Sequence, residues 1–289
     1  MRSRQKRQSG RLHQFLHAFS LKVHTNKLSF AIYVIMGVLT STMLVYTLLT
    51  RQFESAFTAL LSLILFMLPT FVEESFRIKL PMALEIIAIL FVFCANILGE
   101  IAAFYTLFPF WDDMLHYTSG FIFAAFGFAL VDIFNRNRNV DFHLSPVFLS
   151  LVALCFSVTV GVVWEFFEFA ADTFLRTDMQ KDFIVEHIYS AELNLSGQDP
   201  LRIHDIVQTV VTTASGEVYV INGYLDIGLL DTMKDLFVDF AGAFLFAVIG
   251  YFYSSSGSAK GRIAKQFVPR VTGDGSAEKS AECEVRNEK

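Results

Sequence analysis

Cysteine is scarce, and its spacing excludes two kinds of staple. Of three cysteines in 289 residues, Cys94 and Cys155 lie in apolar runs and Cys283 near the C-terminus. No pair has the spacing of a disulfide framework or a zinc site. Charge is scarce too: Asp, Glu, Lys and Arg make up 18% of the chain, well under the share usual in soluble domains. The first 29 residues contain no acid at all, and the run from Pro146 to Val163 contains no charge of either sign. There is no internal repeat, and the first apolar run is too long for a signal-peptide core and lacks a cleavage site, so it is expected to be a retained span.

What the chain has in abundance is apolar residues: 54% of the total, with 32 phenylalanines and a mean hydropathy of +0.48. They come in blocks long enough to cross a bilayer. Only structures that satisfy their own backbone hydrogen bonds survive there, and a helix is the simplest. The expected fold class is therefore all-α: a polytopic transmembrane helix bundle of about six spans, with a small hairpin in an external loop. The spans fall at roughly 28–50, 56–72, 82–107, 114–134, 146–170 and 232–253. The second is short and ends at Pro69 and Glu73–Glu74, so it would have to tilt or thin the bilayer locally.

Three regions result. Residues 1–27 form a basic cytoplasmic or interfacial segment, in which Leu12, Phe15, Leu16 and Phe19 follow helical spacing. Residues 28–253 form the membrane domain, and residues 254–289, rich in Ser, Gly, Lys and Glu, read as a disordered cytoplasmic tail. Seven Lys and Arg precede residue 30, and placing both termini in the cytoplasm puts 18 of the 23 basic residues on that side. The expected location is the inner (cytoplasmic) membrane of a cell, with the long loop at about 172–231 outside. Within that loop IVQTVVTT, ASGE and VYVIN read as β-branched runs around a turn containing Gly216.

The organising stretch is VVWEFFEFAAD, Val162–Asp172, where glutamates interrupt an apolar run. Glu165 and Glu168 are three residues apart and share one helical face, and Asp172 continues it a turn later. A charge at the centre of a bilayer costs about 2.5–3.5 kcal/mol on insertion scales, so this stripe needs partners, protons or a metal. Two further stripes fall at the same depth: Asp112, Asp113 and His116 in WDDMLHYTSG, and Asp231, Lys234, Asp235 and Asp239 in DTMKDLFVDFAGA. Glu100 and Asn96 lie near the same level. Asp112 and Asp231 would equally serve as caps favoured by the helix dipole; Glu165, Glu168, Asp235 and Asp239 lie inside their spans and would not. Gly120, Gly127 and Gly242 would permit close helix approach. Glu73–Glu74 with Arg77 is one residue short of the paired-glutamate motif of intramembrane CAAX-type proteases, and is set aside.

The ordered set D-x-x-H, E-x-x-E and D-x-x-x-D-x-x-x-D followed by Gly-Ala resembles the YjdF-type family of bacterial inner-membrane proteins over about residues 80–253. It is similar, more distantly, to the VanZ-like family, whose motifs are D-K-x-x-H, a glutamate and D-x-x-x-N-x-x-G. By position the resemblance carries over to Asp113 and His116, to Glu165 and Glu168, and to Asp235, Asp239 and Gly242. This chain departs from the VanZ pattern where Asp112 or Met114 replaces the lysine and Asp239 the asparagine.

Two functions fit these residues. In an envelope enzyme His116, Glu165, Glu168 and Asp235 would be catalytic, while Asp113, His116, Glu165, Glu168, Asp235 and Asp239 would hold a divalent metal ion, with a lipid-linked or cell-envelope intermediate as substrate. In a transporter or binding protein the same acids would relay protons or receive a cation. An accessory membrane role is the third possibility. The lipid bilayer is the one partner expected in every case, and no nucleic acid is expected.

Overall fold

In a computed structural model, the structure describes residues 27–76, 78–135, 144–194, 197, 199–255 and 267–271. The basic N-terminal segment, most of the C-terminal one and Arg77 lie outside the described residues. Among the described residues, six helical stretches are long and apolar enough to cross a membrane.

The first helix, α1 (Lys27–Leu49), stops where Arg51 takes a left-handed φ of 60°. The second span is built from α2 (Phe53–Leu65) and α3 (Leu68–Phe76), joined by a single turn. Pro69 lies in the first turn of α3, where its missing N–H costs no helical hydrogen bond. Together they give 24 residues, about 36 Å at 1.5 Å per residue. The second span is thus longer than the sequence suggests. Polar Glu73 and Glu74 remain helical, and Glu73 Oε1 accepts the Leu80 N–H at 2.7 Å.

The third span, α4 (Met82–Val92), continues as a widened π-helical stretch over Phe93–Ile101. It ends six residues before the sequence-based limit of 107, because Ala103 adopts a left-handed φ of 58° and breaks the helix. A single turn, α5 (Phe104–Leu107), leads into α6 (Trp111–Asn135). Trp111 packs edge-on to Phe104 and its Nε1 donates to the Cys94 carbonyl at 3.3 Å. Next comes α7 (Pro146–Ala170), extended by a second π-helical turn, Ala171–Leu175.

Six short strands follow: β2 (Phe183–Val185), β3 (Ile188–Ser190), β4 (Leu201–Ile203), β5 (Thr209–Thr212), β6 (Val218–Ile221) and β7 (Tyr224–Asp226). They pair antiparallel as β2 with β7, β3 with β4 and β5 with β6. The β5–β6 hairpin is the one expected from sequence, turning at Gly216 with φ 87°. The last span is α8 (Leu229–Ser255).

The stretch read as a disordered tail departs from that expectation at five residues. Within Phe267–Val271, β8 (Arg270–Val271) pairs with β1 (Ile78–Lys79), and Val268 is completely buried. The reason is apolar: Val268 joins a core with Leu84, Phe121, Phe128, Leu149 and Phe246.

The chain divides into two compact units, Met1–Thr159 with Asp239–Lys289, and Val160–Val238. The boundaries fall inside α7 and α8. The larger unit holds both apolar cores, the second centred on Ala59, Phe66, Ile89, Phe93 and Ile97. Most other large side chains of the spans, such as Val34, Ile35, Val38 and Leu39 on α1, are exposed. That pattern suits lipid as the surrounding solvent.

Candidate functional site

In the larger unit, α6 and α8 approach with almost no side chain between them. A Cβ on Gly120 would meet the backbone carbonyl of Asp239, and one on Gly242 the carbonyl of Tyr117. Gly127 is similarly closed in by Phe156, whose Cβ would stand 2.9 Å from an added methyl. The expectation of close helix approach at these glycines holds. Ser157 on α7 donates to the Gly120 carbonyl at 2.7 Å and ties the third helix in.

This contact sets the surroundings of His116, which is buried at 6% exposure. Its Nδ1 lies 3.4 Å from Asp239 Oδ2, and its Nε2 lies 3.7 Å from Asp112 Oδ1, one turn back on α6. The Ser119 hydroxyl is 2.7 Å from Asp239 Oδ1 and 2.8 Å from the His116 carbonyl oxygen. Both ring nitrogens therefore face a carboxylate. Asp113, the residue that the family resemblance pairs with His116, follows Asp112 in the same first turn. Ser119 was not singled out from sequence; its place one turn beyond His116 was the available signal.

In the smaller unit, Glu165 and Glu168 occupy the buried stripe of α7 with Ala171, while Trp164, Phe166, Phe167 and Phe169 point away and are exposed. The two glutamates and Asp235 offer carboxylate oxygens within 4.8 Å of one another, and all three residues are buried. Glu168 Oε1 accepts the Trp164 indole N–H at 2.8 Å, which fixes its rotamer. At an effective dielectric of about 20, two ionised carboxylates at this separation repel by about 3–4 kcal/mol. Three such groups together need protons or a cation.

Two further acids of these stripes, Asp172 and Asp231, hold backbone. Asp172 accepts from the Met179 and Gln180 amides at 2.7 and 2.8 Å and from the Thr177 hydroxyl at 2.7 Å, closing the end of α7. Asp231 accepts the Lys181 amide at 2.7 Å. Lys234 lies over the Phe183 ring, 5.8 Å from its centroid. In the larger unit, Glu100 is exposed at the end of its helix.

One buried acid escaped the sequence reading. Glu85, only 4% exposed one turn into α4, lies buried beside Tyr33 of α1. A charged residue just inside an apolar span was the signal for it.

A family model described as a predicted membrane protein, DUF2238, matches residues 31–256. The chain belongs to the DUF2238 family. The match runs from within α1 to just past the end of α8 and takes in each of the carboxylate stripes. The YjdF-type resemblance is to this same family, whereas the VanZ-like resemblance finds no support in the match. No curated protein and no solved structure matches the chain.

Proposed function

We propose that this DUF2238 protein is a metal-dependent membrane enzyme acting on a lipid-linked or cell-envelope intermediate. In this reading the chain lies in the cytoplasmic membrane with both termini inside, as the basic residues favour. The observation that carries the reading is the set of three buried carboxylates, Glu165, Glu168 and Asp235, with oxygens within 4.8 Å of one another. An all-oxygen donor set suits Mg²⁺ or Mn²⁺, so the residues fit the cation that the charge requires. Such an ion, when bound, neutralises the cluster and makes a bound water more acidic.

The chain's own residues supply the rest. Trp164 orients Glu168 through the 2.8 Å bond to its Oε1. His116, held by Asp239 on one nitrogen and facing Asp112 with the other, is placed to hold or move a proton. Ser119 keeps Asp239 in position.

The test is metal analysis of purified protein equilibrated with Mn²⁺ or Mg²⁺, on wild type, Glu165→Gln, Asp235→Asn and the double variant. One ion per chain is expected in wild type, lost in each single variant, with the double variant no worse than either. Residues sharing one ligand show coupling of about 0.5–3 kcal/mol. Wild-type protein without metal, but with proton-coupled flux lost in Glu165→Gln, would replace this reading by a proton relay. Losses that simply multiply would show that Glu165 and Asp235 share nothing.

A further inference from the structure

The strand pairs of the smaller unit carry metal-type ligands that the proposed function does not use. Strand β3 pairs antiparallel with β4, with Ile188 opposite Ile203. One step further along this register sets His187 opposite His204, and opposite residues in such a ladder share a face. The rings confirm the placement: their centroids are 6.3 Å apart and their planes differ by 24°. Tyr189, two residues on and therefore on the same face, packs against both, with centroid distances of 5.9 and 5.5 Å. Just beyond the histidines the Ile206 amide donates to the Glu186 carbonyl at 2.9 Å, and Asp205 takes a left-handed φ of 56°. The backbone on both sides of the pair is thus fixed.

Two features distinguish this pair from ordinary packing. Both histidines are exposed, so little apolar burial rewards the stacking. Both also lie between fixed backbone, with the Ile188–Ile203 pairing on one side and the Ile206–Glu186 hydrogen bond on the other, so bringing the two imidazoles together costs a metal ion little further chain entropy. Imidazole nitrogen suits Zn²⁺, Ni²⁺ and Cu²⁺, and a bound ion stands about 2.0–2.1 Å from each nitrogen. The ring separation is within reach of one ion after small side-chain rotations.

We propose that His187 and His204 form a cross-strand chelate for a late first-row divalent cation such as Zn²⁺ or Cu²⁺. Water completes the coordination. Tyr189 and, opposite it, Arg202 are the other polar side chains that the register sets on this face. Binding clamps β3 to β4 and makes this segment respond to metal. The site is independent of the carboxylate set, because its donors are nitrogen where those are oxygen.

The experiment uses the full-length protein in detergent with saturating Mg²⁺, titrated with Cu²⁺ and followed by electron paramagnetic resonance and calorimetry. Wild type is expected to bind one Cu²⁺ with couplings from two nitrogens. His187→Asn and His204→Asn should each leave at most one nitrogen coupling and weaken binding by at least about tenfold, the least that loss of a supporting ligand contact usually costs. Glu165→Gln should leave both signals unchanged, which separates failure here from failure of the carboxylate proposal. Circular dichroism checks that the variants stay folded, as exposed positions should. Absence of bound copper, or copper retained unchanged by both variants, overturns the proposal; the second outcome would move the ion elsewhere.

Discussion

An alanine at position 242 would drive its Cβ into the Tyr117 carbonyl, with the Phe121 amide nitrogen only 3.2 Å away. Both are backbone atoms of α6, so no rotamer change relieves the clash and the helices must part. Gly120 faces the Asp239 backbone in the same way, its absent Cβ standing 3.1 Å from the Asp239 Cα. Parting the helices lengthens the 3.4 Å His116–Asp239 and 2.7 Å Ser119–Asp239 contacts beyond hydrogen-bonding range. Overpacking of this kind costs about 1–3 kcal/mol, and an interhelical hydrogen bond in a membrane adds about 0.6 kcal/mol on average. A total of about 2–3 kcal/mol lowers the melting temperature by about 4–12 °C in a chain of this size class. Differential scanning fluorimetry in detergent measures it, with Gly37→Ala as the control. Nothing lies within 4 Å of a Cβ at Gly37, so there alanine should be neutral or slightly stabilising, since it is the better helix former. If the two variants melt together, the backbone-close contact of α6 with α8 is wrong, and with it the account of how His116 is held.

Two further outcomes follow from other parts of the molecule. Burial, and then the charges of Asp178, Asp226 and Asp172, push the Asp182 carboxyl above its ordinary range. The folded segment thus binds that proton more tightly than the unfolded one, so its stability is greater in acid and falls as pH rises through the Asp182 titration. Limited proteolysis of residues 176–228 should slow as pH falls through the Asp182 titration, and Asp182→Asn should remove much of the difference; an unchanged pH profile in that variant refutes it. Val268→Asp would place an unpaired charge in an apolar core at a position with 0% exposure, costing at least about 3 kcal/mol as an uncompensated buried charge does. A wild-type melting temperature for that variant would show that β8 does not dock on the core.

The hairpin β5–β6 was legible because its β-branched runs and turn glycine lie within sixteen consecutive residues. The pairs β2–β7 and β3–β4 were not, since their strands are three residues long and lack alternation that would stand out. Glu165 and Glu168 showed themselves as a stripe because a helical period is a property of the local chain. Tyr33 with Glu85 did not, because the two residues belong to different spans and nothing in either span names the other.

Sequence alone determined the membrane class, the six apolar helices and the period that puts Asp231, Asp235 and Asp239 on one face. These depend on hydropathy and on 3.6 residues per turn, both of which are local. Only the tertiary structure decided what each acid touches. It turned Asp172 and Asp231 to backbone amides, set Asp112 and Asp239 on the two nitrogens of His116, and brought Val268 back to a core built from Leu84, Phe121 and Phe246. The rotation of one helix against another is set by where glycines let backbones meet and where apolar side chains fill the gap, and those choices are made between residues more than a hundred positions apart.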